Sequence, residues 1–232
     1  MSDAPSNSVT SLAAVAPDAA ARNRRLILLT YLLGMLLYGL TCAPGVFWQD
    51  SAMFQHRVWF GDLHGESGLA LAHPLYIWLA RGFTILFPLG DFAWRVNLFS
   101  AMCSAATLAV AMRLLLNVTR CPTSSCIGVV TLAVSHTFWT HAAIAEVYNL
   151  YALGLLIELW CVERLLTTRR WKWLAWALVV CGLNLSNHLL ALLHGPAYVM
   201  MVIWGLHSHF ELEKVWSVGD RISNRNAALY RG

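Results

Sequence analysis

The sequence predicts an all-α, polytopic membrane bundle of about six spans, with an interfacial helix in its first outer loop. Three observations predict it. Of 232 residues, 58% are hydrophobic and 12% charged, whereas a soluble domain carries about 25% charged residues. Mean hydropathy is +0.57. The apolar residues fall in runs of roughly span length, about 17–25 residues, and the basic residues fall in the links between them. A water-soluble fold of this size has too little interior to hide so much apolar surface, so lipid is the solvent for much of it. The formal charge of +4 is spread over the links, and a continuous nucleic-acid-binding patch is excluded.

The runs are Leu26 to Cys42, Leu75 to Leu89, Ala93 to Leu116, Ile127 to Ala145, Tyr148 to Leu166, Trp173 to Ser186 and Leu189 to Leu206. The second is short and carries Arg81. Charge parity decides its placement. Arg22, Arg24 and Arg25 set the N-terminus in the cytoplasm. If the second run does not cross, Arg113, Arg120, Arg164, Arg169, Arg170 and Lys172 all fall inside. If it crosses, the last three move outside, against the positive-inside bias. The run is therefore expected to lie along the outer interface. Residues 1–25 read as a disordered cytoplasmic tail, 26–206 as the transmembrane domain with 43–92 as its first outer loop, and 207–232 as a second cytoplasmic tail.

The same parity gathers polar residues on one face. Asp50, Arg57, Glu66, His73, Arg95, His141, Glu146, Asn187 and His188 all fall outside or at outer span ends, and ionisable groups beside spans mark function by default. Asp50 follows the first span closely. Partial desolvation there would suit it to take a proton from a hydroxyl; a helix N-cap is the competing role. His73 precedes Pro74, which opens a helix well; it would bind a phosphate, orient an acceptor, or cap the helix. Glu146 lies in an apolar setting flanked by Tyr148 and needs a partner, for which Arg95 is the candidate. Asn187 and His188 would line a ligand site or satisfy a tight turn. The histidines show no metal-binding spacing, so no metal site is expected from them. The six cysteines read as small apolar helix residues. Span centres are nearly free of charge, Glu158 being the exception and placed towards the cytoplasmic end, which argues against a transport path.

Five segments carry a family resemblance: TCAPGVFWQDS after the first span, AHPLYIWLAR, AWRVNLFSA, FWTHAAIAEVYNLYAL and GLNLSNHLLAL. In this order and spacing, from Leu26 to Met201, they resemble the N-terminal part of the GT-C superfamily of membrane glycosyltransferases, in the branch similar to protein O-mannosyltransferases. The resemblance implies a GT-C-like fold and a polyprenyl-phosphate-linked sugar as donor, with mannose the candidate. Transfer would go to a hydroxyl of a protein or glycan acceptor on the non-cytoplasmic face, in a bacterial inner membrane. Asp50 would be the catalytic or acceptor-binding carboxylate. His73, Arg57, Arg95, Glu146, Tyr148, Asn187 and His188 would form the substrate site, Arg57 or Arg95 offsetting phosphate charge. A divalent metal and a second chain completing the fold stay open. Where the family often reads G-D-S-G-E-F, this chain reads Gln49-Asp50-Ser51-Ala52-Met53-Phe54, so Met53 replaces a second carboxylate. Together with the end of the apolar pattern near Leu206, this gives the rival reading, a truncated, non-catalytic membrane subunit or lipid-binding scaffold.

Overall fold

A computed structural model describes residues 8–47, 50–65, 68, 72–200 and 203, with side chains from 18 onward. Glu66 and the tail 207–232 lie outside the described residues. Among the described residues every regular element is a helix: α1 (Ser8–Thr41), α2 (Asp50–Phe60), α3 (Pro74–Leu86), α4 (Phe92–Thr119), α5 (Pro122–Ala133), α6 (His136–Ala143), α7 (Val147–Thr168) and α8 (Lys172–Asn187). A ninth helix, α9, occupies 191–200 among the described residues.

Among the described residues, two helices are long and apolar enough to cross a membrane, the Asp18–Thr41 part of α1 and all of α4; a third crossing results if α6 and α7, bent by 116°, are one interrupted span. At 1.5 Å per residue, α4 is about 42 Å long and exceeds the roughly 30 Å hydrocarbon core. The 13 residues of α3 reach only about 20 Å. Pro74 starts that helix and Phe87-Pro88 ends it.

Two stretches are built differently from what their composition suggests. Residues 8–25, read as a disordered tail, belong to α1 from Ser8 onward. The stretch is rich in alanine, the best helix former, which outweighs its polar composition. The run Ile127 to Ala145, read as one span, is divided between α5 and α6. The break falls at Val134 and Ser135, where Ser135 takes an extended backbone (ψ 133°) and its hydroxyl donates to the Leu132 carbonyl at 2.8 Å. Serine competes in this way with the helical ladder.

α4 is the central post. Gly34 of α1 faces Ala105 so closely that an added Cβ would stand 3.2 Å from the Ala105 backbone. One apolar core joins Phe54, Val58, Tyr76, Ile77, Val96, Phe99 and Val147, uniting α2, α3, the start of α4 and the start of α7. A second joins Tyr38, Leu108, Met112, Leu116 and Val129 at the other end of α4. Two hydroxyls that α4 buries return to its own turn, Ser104 to the Ser100 carbonyl at 2.9 Å and Thr107 to that of Cys103 at 2.8 Å.

The basic links converge at that second end. Arg24 and Arg113 line one cavity. The Arg113 guanidinium lies 4.8 Å from the Trp160 ring centre, and that of Arg164 lies 5.4 Å from Trp173. Asp50, His73, Glu146 and His188 stand at the opposite helix ends.

Candidate functional site

The polar backbone at this end is fixed before any substrate enters. Asn97 of α4 donates through Nδ2 to the carbonyls of Ala43 (2.9 Å) and Gly45 (3.1 Å) and accepts from Gln55 Nε2 at 2.7 Å. The end of α1, the middle of α2 and α4 are thereby tied together. Buried amides hold register well because an unpaired one is costly.

The break before α7 is held the same way. Ser51 Oγ accepts the Ala145 N–H at 3.2 Å, and Ser100 Oγ accepts that of Glu146 at 3.1 Å. Ser100 also meets the Tyr76 hydroxyl at 3.0 Å. Glu146 is buried, 7% exposed. Burial, and then the nearby charge of Asp50, push its carboxyl up to about 7. Asp50 opens α2 and is exposed. The desolvated carboxylate expected at Asp50 is therefore Glu146. Asp50 starts a helix whose buried face begins at Ser51, which turns its side chain to solvent.

Four aromatic or imidazole rings gather at the same end of the bundle. His73 Nδ1 meets the Asn187 carbonyl oxygen at 2.6 Å, and its ring centre lies 5.1 Å from that of His188. Tyr148 and Tyr151 stand 5.2 and 5.9 Å from His188. The Asn187 amide donates to the Val147 carbonyl at 3.1 Å. Burial pulls the His73 ring below the ordinary histidine range, with the Arg57 charge adding to it; burial and then His73 do the same to His188. Both rings stay neutral at pH 7. Tyr148 and His141 also line a cavity of about 480 Å³ whose wall includes Leu132, Phe138 and Ala152.

Of the residues the sequence singled out, Asp50, His73, Glu146, Tyr148, Asn187 and His188 come together. Arg57 stands beside them, 5% exposed, with Nη2 donating to the carbonyls of Ala72 (2.6 Å) and Asp62 (3.0 Å). It clamps the ends of the loop leading to His73, and its charge is felt at His73. Arg95 does not join Glu146. Its Nη1 donates to the Thr84 carbonyl at 2.6 Å, and with Arg81, Trp59 and Phe92 it lines a separate cavity of about 340 Å³. Arg95 leaves the first turn of α4 towards the C-terminal end of α3, where free carbonyls attract a cation. Reading the sequence missed Ser51, Ser100 and Asn97. A serine or asparagine inside an apolar helix was the available signal, because each needs a partner.

Across residues 69–211 the chain matches the family described as the protein O-mannosyl-transferase TMEM260 N-terminal domain. The chain belongs to this family. The match takes in His73, Arg95, Glu146, Tyr148, Asn187 and His188, while Asp50 and Arg57 precede it. No curated protein and no solved structure matches the chain. Membership supports a glycosyltransferase-like role, and the apolar helices support a membrane protein.

Proposed function

We propose that the chain takes part in glycosyl transfer from a polyprenyl-phosphate-linked sugar, with mannose the candidate, to an acceptor hydroxyl on the non-cytoplasmic face. The observation that carries this reading is the gathering of His73, Tyr148 and His188 at the end of the bundle where buried Glu146 opens α7 and Asp50 opens α2, in a member of an O-mannosyltransferase family.

In this reading the fold is GT-C-like with six crossings: α1, α4, α5 with α6, α7, α8 and α9. The α3 helix lies along the outer interface, and Glu146 sits outside the span formed by α7. The basic helix ends would face the cytoplasm.

The reaction forms a bond from the acceptor oxygen to the anomeric carbon and breaks the bond from that carbon to phosphate. The phosphate leaves with the electron pair, and the acceptor proton passes to Asp50, which solvent and acceptor reach. The sugar gains positive charge as the old bond breaks, and ionised Glu146 would stabilise it. Glu146 thus stands in for the carboxylate that Met53 replaces. Neutral His73 keeps Nε2 for the donor phosphate or the acceptor, and Arg57 supplies nearby positive charge. The cavity beside Tyr148 offers an apolar channel for the prenyl chain.

The test is transfer of labelled mannose from its polyprenyl phosphate to a peptide acceptor, in membranes carrying the full chain. Asp50→Asn is expected to lower transfer about 100-fold or more. Unchanged transfer would remove Asp50 from the reaction, and no transfer by the unaltered chain would favour the scaffold reading.

A further inference from the structure

Away from this site, three helices bring unlike metal-binding side chains together. Glu158 of α7, Cys181 of α8 and His194 of α9 each offer one ligand atom, and these atoms lie within 4.8 Å of one another. Glu158 is the twelfth of the 22 residues of α7. It is therefore central, and not towards the cytoplasmic end as its sequence position suggested. It is fully buried.

We propose that Glu158, Cys181 and His194 form a binding site for one zinc-type divalent cation that staples α7, α8 and α9 together. Five observations support it. The donor set of carboxylate, thiolate and imidazole is one that zinc accepts in tetrahedral sites. Any triangle with sides of at most 4.8 Å places a point within about 2.8 Å of every corner. Ordinary side-chain adjustment then reaches zinc–ligand distances of about 2.0–2.3 Å.

Two of the three ligand atoms already meet. His194 Nδ1 stands 3.0 Å from Glu158 Oε2, so an imidazole nitrogen and a carboxylate oxygen face one point.

The other carboxylate oxygen is already held. Asn184 Nδ2 donates to Glu158 Oε1 at 3.1 Å, leaving Oε2 for the ion. Metal ligands are regularly oriented by such neighbours. Finally, the charges cancel. One carboxylate, one thiolate and a neutral imidazole around a dication sum to zero, whereas a lone buried carboxylate is expensive at this depth. A water would complete the tetrahedral set.

The staple would act on the first site. Asn187 and His188 form the link between α8 and α9, and the Tyr151 ring touches both His188 (5.9 Å) and His194 (5.8 Å). Fixing α9 to α7 fixes His188 against Tyr148 and His73.

The test uses the full chain, purified in detergent without a polyhistidine tag. Elemental analysis should find about one zinc per chain. After chelation and reloading with cobalt(II), a thiolate-to-cobalt charge-transfer band should appear. It should vanish in Cys181→Ser, which keeps the side chain's size, and persist in Cys126→Ser. Asn184→Ala should weaken binding about tenfold or more. Zinc well below one equivalent in the unaltered chain overturns the proposal, as does a cobalt spectrum unchanged by Cys181→Ser. The zinc content of the unaltered chain decides even if a variant fails to fold.

Discussion

The 2.6 Å contact between His73 Nδ1 and the Asn187 carbonyl oxygen joins the start of α3 to the end of α8. A carbonyl only accepts, so Nδ1 carries the proton and Nε2 of the neutral ring remains available. His73 pays for the position with a left-handed backbone, φ 50°, which a non-glycine residue holds only when its surroundings fix it.

Acid should therefore loosen this end of the bundle. His73 and His188 both have folded proton affinities below the ordinary histidine value. Their contribution to stability is complete above the unfolded pKa of about 6.5 and falls as pH drops below it towards the folded values. Their mutual repulsion steepens the loss when both are charged. Melting temperatures of the unaltered chain and His188→Asn should differ most at pH 7.5, and the difference should shrink by pH 5. A constant difference across that range would separate His188 from the effect.

Glu146 has the opposite sign. Its folded pKa, about 7, lies above the usual carboxylate value, so its contribution to stability is full at low pH and is lost as pH rises through about 7. Glu146→Gln should melt higher than the unaltered chain at pH 8 and equally at pH 4. Transfer by the unaltered chain should rise with pH through about 7, because the ionised form is the useful one. In Glu146→Gln transfer should be weak and should lose this step. A variant that keeps the step would assign it to another group.

Arg57 should prove more structural than electrostatic. Its fork reaches two carbonyls, and its Nε lies 3.5 Å from Asp62 Oδ2. Gly65, at φ +63°, packs so close that an added Cβ would stand 3.0 Å from the guanidinium carbon. A lysine ammonium cannot reproduce that planar fork. Arg57→Lys should cost about 2 kcal/mol of stability and speed proteolytic cleavage between Gly61 and Gly65. Unchanged cleavage would show that the loop is held by something else.

What the sequence made legible follows from which forces are local. Apolar runs and basic links are local patterns, so the helices and the polar end were readable, as was the grouping of Asp50 with His73, Glu146 and His188. Direction within that end was not. Arg95 and Glu146 fall at the same level in sequence order, yet α4 points Arg95 at the Thr84 carbonyl, and only the rotation of α4 about its axis decides this. Burial of Glu146 instead of Asp50 depends on Ser51 and Ser100 bonding a distant backbone. The division between α5 and α6 was hidden because Ser135 and His136 interrupt an otherwise apolar run by only two residues. Glu158, Cys181 and His194 meet through three helices, and no spacing within one helix announces them.

Two glycines in neighbouring helices give the sharpest check on the buried cluster. A Cβ at Gly154 of α7 would stand 2.6 Å from Asn184 Cγ, inside any tolerable contact. Asn184 cannot retreat cheaply. It is 3% exposed, and its amide donates to the Tyr151 carbonyl at 3.3 Å and to Glu158 Oε1 at 3.1 Å. Gly154→Ala should therefore destabilise by about 1–3 kcal/mol, despite the better helix propensity of alanine. At Gly182 of α8 an added Cβ meets nothing within 4 Å, and propensity alone acts. Gly182→Ala should stabilise by about 0.5–1 kcal/mol. Opposite shifts in melting temperature are expected for the two variants. If Gly154→Ala instead melts at or above the unaltered chain, Asn184 is not wedged between Gly154 and Glu158, and the orientation of the Glu158 carboxylate loses its support.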